Sequence, residues 1–287
     1  MMVASETAST LIGAIGDLPS LSHVLARLSE IAANPASSAR QVVDIVKLDP
    51  ALSAKILRLA NSAYVGIPRT IDSLKNAVVL LGQKRVYSLA LTSGILLALK
   101  KRGPPPFSQR DYWRHSIAVG MIAESISKTL HGRDSIDSDE AFTAGLLHDI
   151  GKLALGCFAA TYFQDSVRNC LENKVPFFKA EKPATSHTTI GWLLARKWNF
   201  PDDLCGAIAR HHDPAPQVTG NRMVSIVHLS DGIAHYVDVV TVPGEPPPKL
   251  DDEAIAFVNV QPERLRAIAG EALQNEKKIE LFVECIV

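Results

Sequence analysis

Apolar residues recur every three or four positions along most of the chain, which places them on one face of an α-helix. One such stretch follows the polar start and runs from Leu21 to Ile31, and another runs from Leu52 to Leu59. No persuasive run of alternating apolar and polar residues, the pattern of a half-buried strand, interrupts this spacing. The pattern therefore predicts an all-α protein.

Local signals mark where helices begin and where the chain divides. Asp49 followed by Pro50 is a good N-cap before a proline at the first helical position. Ser73 or Asp72 can cap a later helix in the same way. The run Gly103-Pro104-Pro105-Pro106 forbids a helix and is the best domain boundary in the first half of the chain.

The boundaries predict three parts. Residues 11–103 form an N-terminal helical bundle lobe, which we expect to pack on a second helical lobe at residues 107–240. Pro243 to Pro248 then forms a second linker, and residues 249–287 form a C-terminal helical tail of one or two helices.

Composition narrows the function classes. Lys plus Arg and Asp plus Glu both number 30, so net charge gives no reason to expect DNA or an anionic membrane as a partner. The four cysteines lack the spacing of a zinc site and the density of a disulfide framework, which favours reduced thiols in the cytoplasm. The N-terminus is not a signal peptide, and Leu89 to Leu99 is too short to span a bilayer. We therefore expect a soluble, cytoplasmic protein.

The most informative stretch runs from Ala141 to Lys152 and ends in the adjacent pair His148-Asp149. An imidazole and a carboxylate can share one divalent metal ion, and the second carboxylate oxygen can bridge to another. The alternative is a chance pair in which the aspartate caps a helix and the histidine is half exposed. Gly151 is expected to let the backbone turn just beyond the pair, and Gly156 to break the helical run that follows.

Seven residues of metal-binding type lie near predicted helix ends or on adjacent helices. They are His115, His148, Asp149, His187, His211, His212 and Asp231. The alternative for the pair His211-His212 is a charged helix C-terminus. Other histidines are interpreted as ordinary surface or core residues, namely His23, His131 and His235. His228 lies on the same helical side as Asp231 but ranks below it as a candidate.

The order of His115, His148-Asp149 and Asp231 resembles the HD superfamily of metal-dependent phosphohydrolases, which are all-helical. HDIGK at 148–152, HTTIG at 187–191 and the paired histidines resemble the binuclear HD-GYP cyclic-dinucleotide phosphodiesterases. The resemblance implies that Asp149 bridges two ions and that Lys152 faces the phosphate, as the two catalytic residues. It also implies two ligand groups: His115, His148 and Asp231 for one ion, and His187, His211 and His212 for the other.

The chain departs from HD-GYP proteins after the paired histidines, where it has Asp213-Pro214 in place of glutamate and carries no Gly-Tyr-Pro. The N-terminal half is closer to another family. LPSLSHVLARLSEIAANP, LDPALSAKILRLANSAYVG and IDSLKNAVVLLGQKRVYSLAL resemble the HDOD family, the HD-related output domains of bacterial signalling proteins. This resemblance covers about Gly16 to Tyr236.

Three functions are compatible with the sequence. The first is a signalling output module that docks a protein partner and carries a binuclear metal site in its HD-like lobe. The second is a metal-dependent phosphohydrolase, a phosphodiesterase acting on a nucleotide or cyclic dinucleotide. The third is a relic site that holds no metal. Histidine-rich ligation favours a transition metal over magnesium, with iron first through the resemblance and manganese, zinc or nickel as alternatives.

Overall fold

A computed structural model describes residues 23–34, 36–62, 70–100 and 103–286, together with positions 13 and 65. No strand occurs among these residues, so the predicted all-α class is confirmed. The α-helices, in chain order, are α1 (His23–Ala33), α2 (Ala39–Val46), α3 (Pro50–Ala60), α4 (Leu74–Leu81), α5 (Gln83–Lys100), α6 (Gln109–Ser127), α7 (Ser138–Leu147), α8 (Ile150–Phe158), α9 (Ala160–Asn173), α10 (Phe177–Ala180), α11 (His187–Lys197), α12 (Asp202–Arg210), α13 (Pro216–Thr219), α14 (Arg222–Tyr236), α15 (Asp252–Val258), α16 (Pro262–Gln274) and α17 (Glu276–Ile286).

The N-terminal unit comprises the described residues between 23 and 100 together with 275–286. In it α5 packs against α1 and α3, and α17 returns from the end of the chain to pack on α3 and α5. The predicted cap at Asp49 is confirmed, because its Oδ1 accepts a hydrogen bond from the Leu52 N–H at 3.0 Å. Of the two candidates before α4, Ser73 is the cap.

The histidine-rich unit comprises residues 103–274. Its centre is the pair α6 and α7, with α14 packed along both, while α11 packs on α8 and α12. Helices α15 and α16 lie against α14, and α16 also contacts α6. The predicted boundaries at 11–103, 107–240 and 249–287 stay a prediction, and residue 11 lies outside the part of the chain that the structure describes.

Glycines set how closely the helices of this unit approach. A Cβ on Gly145 of α7 would lie 2.7 Å from the Gly120 Cα of α6, and a Cβ on Gly151 of α8 would overlap the His187 backbone oxygen of α11. Both helix pairs therefore pack backbone to backbone. The prediction of a turn at Gly151 was wrong. The chain turns at Asp149, and Gly151 lies within α8. A glycine is needed there because α11 leaves no space for a side chain.

Two further expectations need correction. Gly156 does not break the helix, because α8 continues to Phe158, and its missing side chain makes room for Pro105 and Phe107. The segment from Pro243 to Pro248 is non-helical as predicted, but it is no free linker. Its Glu245 carboxylate is buried and accepts a hydrogen bond from the Phe177 N–H at 2.7 Å. Among the described residues, no helix is long and apolar enough to cross a bilayer.

Candidate metal centre

Helix ends bring the candidate ligands together. His148 follows the last residue of α7 and Asp149 precedes α8, so the pair occupies the tight junction between two helices. His187 is the first residue of α11, and His211 follows the last residue of α12. The three remaining members are His115 on α6, His212 directly after His211, and Asp231 on α14.

The first group of side chains is formed by His115, His148 and Asp231. The Nε2 atoms of the two histidines lie 3.3 Å apart. Asp231 Oδ1 lies 3.2 Å from Nε2 of His115 and 3.6 Å from Nε2 of His148. These three side chains are fully or almost fully buried.

The second group is formed by His187, His211 and His212. Nε2 of His187 lies 3.4 Å from Nε2 of His211 and 3.1 Å from Nε2 of His212. The ring of Phe178 stacks on His212 with a centroid distance of 4.2 Å, which fixes the plane of that imidazole. The paired histidines therefore both point at His187, although they are adjacent in sequence.

Asp149 lies between the two groups. Its Oδ2 is 3.6 Å from Nε2 of His115 and 3.4 Å from Nε2 of His148, whereas its Oδ1 is 3.3 Å from Nε2 of His187 and 3.7 Å from Nε2 of His211. Both oxygens are buried and accept no hydrogen bond of normal geometry, although the Lys152 ammonium lies 2.7 Å from Oδ2. Burial of a carboxylate is costly unless cations or donors satisfy it, and Oδ1 faces only imidazoles.

Four of the histidines are held by their other ring nitrogen. Nδ1 of His115 lies 2.7 Å from the Val239 backbone oxygen, and Nδ1 of His148 lies 2.7 Å from that of Gly145. Nδ1 of His187 is 2.5 Å from a Glu181 carboxylate oxygen, and Nδ1 of His211 faces two backbone oxygens of α12 at 3.1 Å. With Nδ1 occupied in this way, each Nε2 is directed towards Asp149, which is how metal-binding histidines are oriented.

The chain matches the HDOD domain family over residues 18–214, more than half of its 287 residues. The chain belongs to the HDOD family. The family resemblance predicted from the N-terminal sequence is thereby confirmed, whereas Asp231 lies beyond the matched residues.

The relatives of this HDOD protein cover different shares of its length. An HDOD domain protein of unknown function from Geobacter sulfurreducens has a crystal structure that superposes with a TM-score of 0.80 at 23% identity, covering 98% of this chain and 97% of that one. An uncharacterized protein from Treponema pallidum is 23% identical over 283 residues, covering 96% of this chain. Ribonuclease Y from Lactobacillus gasseri is 34% identical over 105 residues, 37% of this chain. The HDOD chain spans 53% of the Treponema protein and 14% of ribonuclease Y.

Both central carboxylates of the HDOD protein are ionised. Burial favours their neutral form, but His148 and Lys152 hold the pKa of Asp149 well below its usual range. Despite the same effect of burial, His235 holds the pKa of Asp231 well below its usual range. Two buried negative charges beside histidine lone pairs attract a cation, so the donor set fits a transition-metal ion.

The histidines differ in their affinity for protons. Burial, followed by the neighbouring imidazoles, lowers the pKa of His211 and His212 well below the usual value, so both are neutral. Burial also lowers the pKa of His115. Burial opposes charge on His148 as well, but Asp149 raises its pKa to about 9. A metal ion at this position would take the place of the His148 proton.

Lys152 is buried with the ligand-type residues. Its ammonium lies 2.7 Å from Asp149 Oδ2 and 5.4 Å from the centre of the Phe177 ring. Burial disfavours its charge, but Asp149 and then Glu245 raise its pKa above the usual value. Lys152 therefore carries a positive charge against the carboxylate that faces both histidine groups.

Sequence reasoning missed three residues of this centre. Glu181 accepts from both the backbone N–H and Nδ1 of His187. His235, which was interpreted as an ordinary histidine, is buried between Asp231 and Glu245. Its spacing of four residues from Asp231 on one helix was the available signal. Glu181 and Glu245 gave no such signal, because the chain brings them in from loops.

His228 has a structural role in this arrangement. Its Nδ1 donates to the His211 backbone oxygen at 2.6 Å, and its Nε2 accepts from the Asp251 N–H at 3.0 Å. Both ring nitrogens are thus hydrogen-bonded to backbone groups of two other segments. This geometry agrees with the sequence analysis, which placed His228 below Asp231 as a candidate metal ligand.

The centre approaches solvent at His212. Its side chain is 10% exposed, whereas the other six ligand-type side chains are 0–2% exposed. His212 lines a cavity of about 300 Å³, together with Asp213, His228, Lys249 and Asp251. A small molecule that reaches this cavity can contact the second histidine group.

Proposed function

We propose that this chain is a signal-transduction output module whose histidine-rich unit holds two divalent transition-metal ions bridged by Asp149. The observation that carries the proposal is the Asp149 carboxylate itself. Its two oxygens face different histidine groups, and Oδ1 has no hydrogen-bond donor of normal geometry, whereas Oδ2 is paired with the Lys152 ammonium. Lone pairs of imidazoles converge on both sides of it, which is the environment that a bridging carboxylate requires.

The assignment of ligands follows the two groups. His115, His148 and Asp231 hold one ion, His187, His211 and His212 hold the other, and Asp149 contributes to both. Imidazole with carboxylate suits iron, manganese, zinc or nickel, and magnesium prefers oxygen ligands throughout. Iron is the first choice because of the resemblance to binuclear HD proteins. The four free cysteines agree with a cytoplasmic setting for such a protein.

The signalling role rests on membership of the HDOD family. An output module of this type passes a signal to a protein partner, and the occupancy of its metal centre, or a nucleotide bound beside it, would supply the input. The N-terminal unit is the expected docking region for the partner. Metal binding changes the stability of the unit that holds the ions, so it can bias such an interaction.

The second candidate is a phosphohydrolase acting on a nucleotide or cyclic dinucleotide. It is favoured by Lys152, a buried cation beside the bridging carboxylate, and by the partial similarity to ribonuclease Y. When bound, two ions would polarise a phosphoryl group and activate water at neutral pH. Lys152 would stabilise the charge that develops on the phosphoryl oxygens, and His212 would line the approach from the cavity. The residue after the paired histidines, Asp213, departs from the HD-GYP pattern.

The proposal is tested by the metal content of the untagged protein, measured by inductively coupled plasma mass spectrometry. We expect two equivalents of transition metal in the wild type and none in Asp149→Ala, because that variant removes a ligand from both ions. Asp165→Ala is the matched control, since Asp165 is an exposed residue of α9 that pairs with Arg168 and is not a ligand-type residue of either group. Metal retained in Asp149→Ala would contradict the bridging assignment.

A second assay separates the two candidate functions. The metal-loaded protein is incubated with bis(p-nitrophenyl) phosphate and with a cyclic dinucleotide, and product is followed over time. Turnover that is lost in Lys152→Ala, while metal content is retained, would establish the phosphohydrolase. Binding of the cyclic dinucleotide without turnover would favour the output module.

A further inference from the structure

His235 and Glu245 form a buried chain that ends on a carboxylate of the candidate centre. Nδ1 of His235 donates to the Asp231 backbone oxygen at 2.9 Å and lies 3.2 Å from Asp231 Oδ1. Nε2 of His235 faces Glu245 Oε2 at 3.7 Å. All three side chains are only 2–3% exposed.

This geometry makes His235 unsuitable as a metal ligand. Although His235 lies beside His115 and Asp231, its Nδ1 donates to the backbone oxygen of Asp231, one helical turn earlier on α14, and its Nε2 faces Glu245. Nε2 of His235 and Oε2 of Glu245 are both buried and have no hydrogen-bond partner. At 3.7 Å the two atoms are within the distance of an ion pair.

Glu245 is itself fixed at its other oxygen. Oε1 accepts from the Phe177 N–H at 2.7 Å, which ties the segment after α14 to the start of α10. The chain of contacts runs from that backbone group through Glu245 and His235 to Asp231. A side chain held at both ends keeps one orientation, so the carboxylate at the end of the chain is held in place as well.

We propose, on the basis of the function proposed above, that His235 and Glu245 are positioning residues that hold Asp231 ready to bind the ion shared with His115 and His148. The partner of a metal ligand commonly changes metal affinity ten- to a hundredfold when it is removed. The effect should be largest for this ion, because Nδ1 of His235 faces Asp231 Oδ1 at 3.2 Å. The second histidine group is reached only through Asp231 Oδ2, which lies 3.7 Å from Nδ1 of His212.

The test compares two replacements of His235 in the full chain. In His235→Asn the side-chain amide nitrogen can take the place of Nδ1 and still donate to Asp231, whereas His235→Leu keeps the volume and removes the donor. The apoprotein is titrated with Co²⁺ against a competing chelator, and the visible absorption of the bound cobalt reports the geometry of each ion. His131→Leu, at an exposed histidine of the same unit, is the matched control.

We expect His235→Leu to bind one of two cobalt ions about ten- to a hundredfold more weakly, with a changed absorption spectrum for that ion. His235→Asn, which keeps the donor to Asp231 but loses the contact with Glu245, should weaken this ion less than His235→Leu, and the control should stay close to the wild type. Glu245→Gln, which keeps the acceptor for the Phe177 N–H, should weaken the same ion less. This variant also carries the test if His235→Leu does not fold.

Three results would overturn the inference. Wild-type affinity in both His235→Leu and Glu245→Gln would show that the chain of contacts does not act on Asp231. Equal losses in His235→Leu and His235→Asn would assign His235 to packing. A wild type that binds no cobalt at all would contradict the proposed function and this inference together. The first two results would contradict this inference alone, because in them the wild type still binds cobalt.

Discussion

The two units of the chain bury very different residues. In the described part of the N-terminal unit, the buried polar or charged residues are Arg85, Ser88 and Thr92. The histidine-rich unit buries histidines from α6, α11 and α14, two aspartates and Lys152. The helices of the first unit pack around an almost entirely apolar core, so helices of this length need no buried cluster of ionisable residues in order to pack. The polar centre of the second unit costs free energy on burial, so its presence indicates a function other than folding.

The difference between the two cores predicts that a cavity in the core of the N-terminal unit leaves the candidate metal centre intact. Ile56 is fully buried in α3, and Ile56→Ala should lower the free energy of unfolding of its unit by about 2–5 kcal/mol. Metal content should not change. Denaturant unfolding with hydrogen exchange by mass spectrometry resolves the two units.

Leu97→Ala is the control for that variant, since Leu97 lies in the same unit but is 68% exposed. Its effect should be within about 0.5 kcal/mol. Loss of metal from Ile56→Ala while its unit remains folded would contradict the separation of roles.

A methyl group at the closest helix contact should damage the histidine-rich unit instead. In Gly151→Ala the added Cβ would overlap the His187 backbone oxygen, and we expect a loss of about 3 kcal/mol because neither backbone can move freely. His187 should be displaced and metal content should fall. Gly270→Ala, in the open space of α16, should stabilise the protein by about 0.5–1 kcal/mol. Equal stability of the two variants would refute this account of Gly151.

Removal of metal should change hydrogen exchange in one unit and not in the other, without any mutation. Ions held at a free concentration a hundredfold above the dissociation constant stabilise the folded state by about 2.7 kcal/mol. Treatment with a chelator should therefore speed hydrogen exchange in the helices that carry the ligand-type residues, α6, α11, α12 and α14. Exchange in α3 and α4 should not change. A uniform increase across both units would contradict the contrast.

The smallest effect is expected at a helix cap of the N-terminal unit. Asp49→Ala removes the acceptor for the Leu52 N–H and should cost about 1 kcal/mol, whereas Asp49→Asn should keep most of the cap. Thermal unfolding of the three proteins measures the difference. A loss of metal in Asp49→Ala would show that the units are coupled more strongly than the account allows.

The features that the sequence predicted correctly are those with local causes. The helical class follows from the spacing of apolar residues, and the caps at Asp49 and Ser73 follow from a side chain that bonds to a backbone group three residues later. The seven candidate ligands were chosen because five of them occur as adjacent pairs or at the start of a recognisable motif. Their side chains lie together in the structure, and their role as metal ligands stays a prediction.

The features that the sequence did not predict depend on distant parts of the chain. Gly151 was expected to provide a turn, but its role is set by α11, thirty-six residues away at His187. Glu181 and Glu245 were missed because a carboxylate in a loop has no periodic pattern that predicts burial. His235 was underestimated because its partner Glu245 is not part of any helix. Tertiary packing decided each of these cases.

The central claim is that two metal ions flank Asp149 in the histidine-rich unit and that the N-terminal unit holds none. The most direct measurement is an anomalous difference map from crystals of the metal-loaded protein, collected on both sides of the iron and manganese absorption edges. The account predicts two peaks, one beside His115 and His148 and the other beside His187 and His211. A single peak, or peaks away from Asp149, would contradict it.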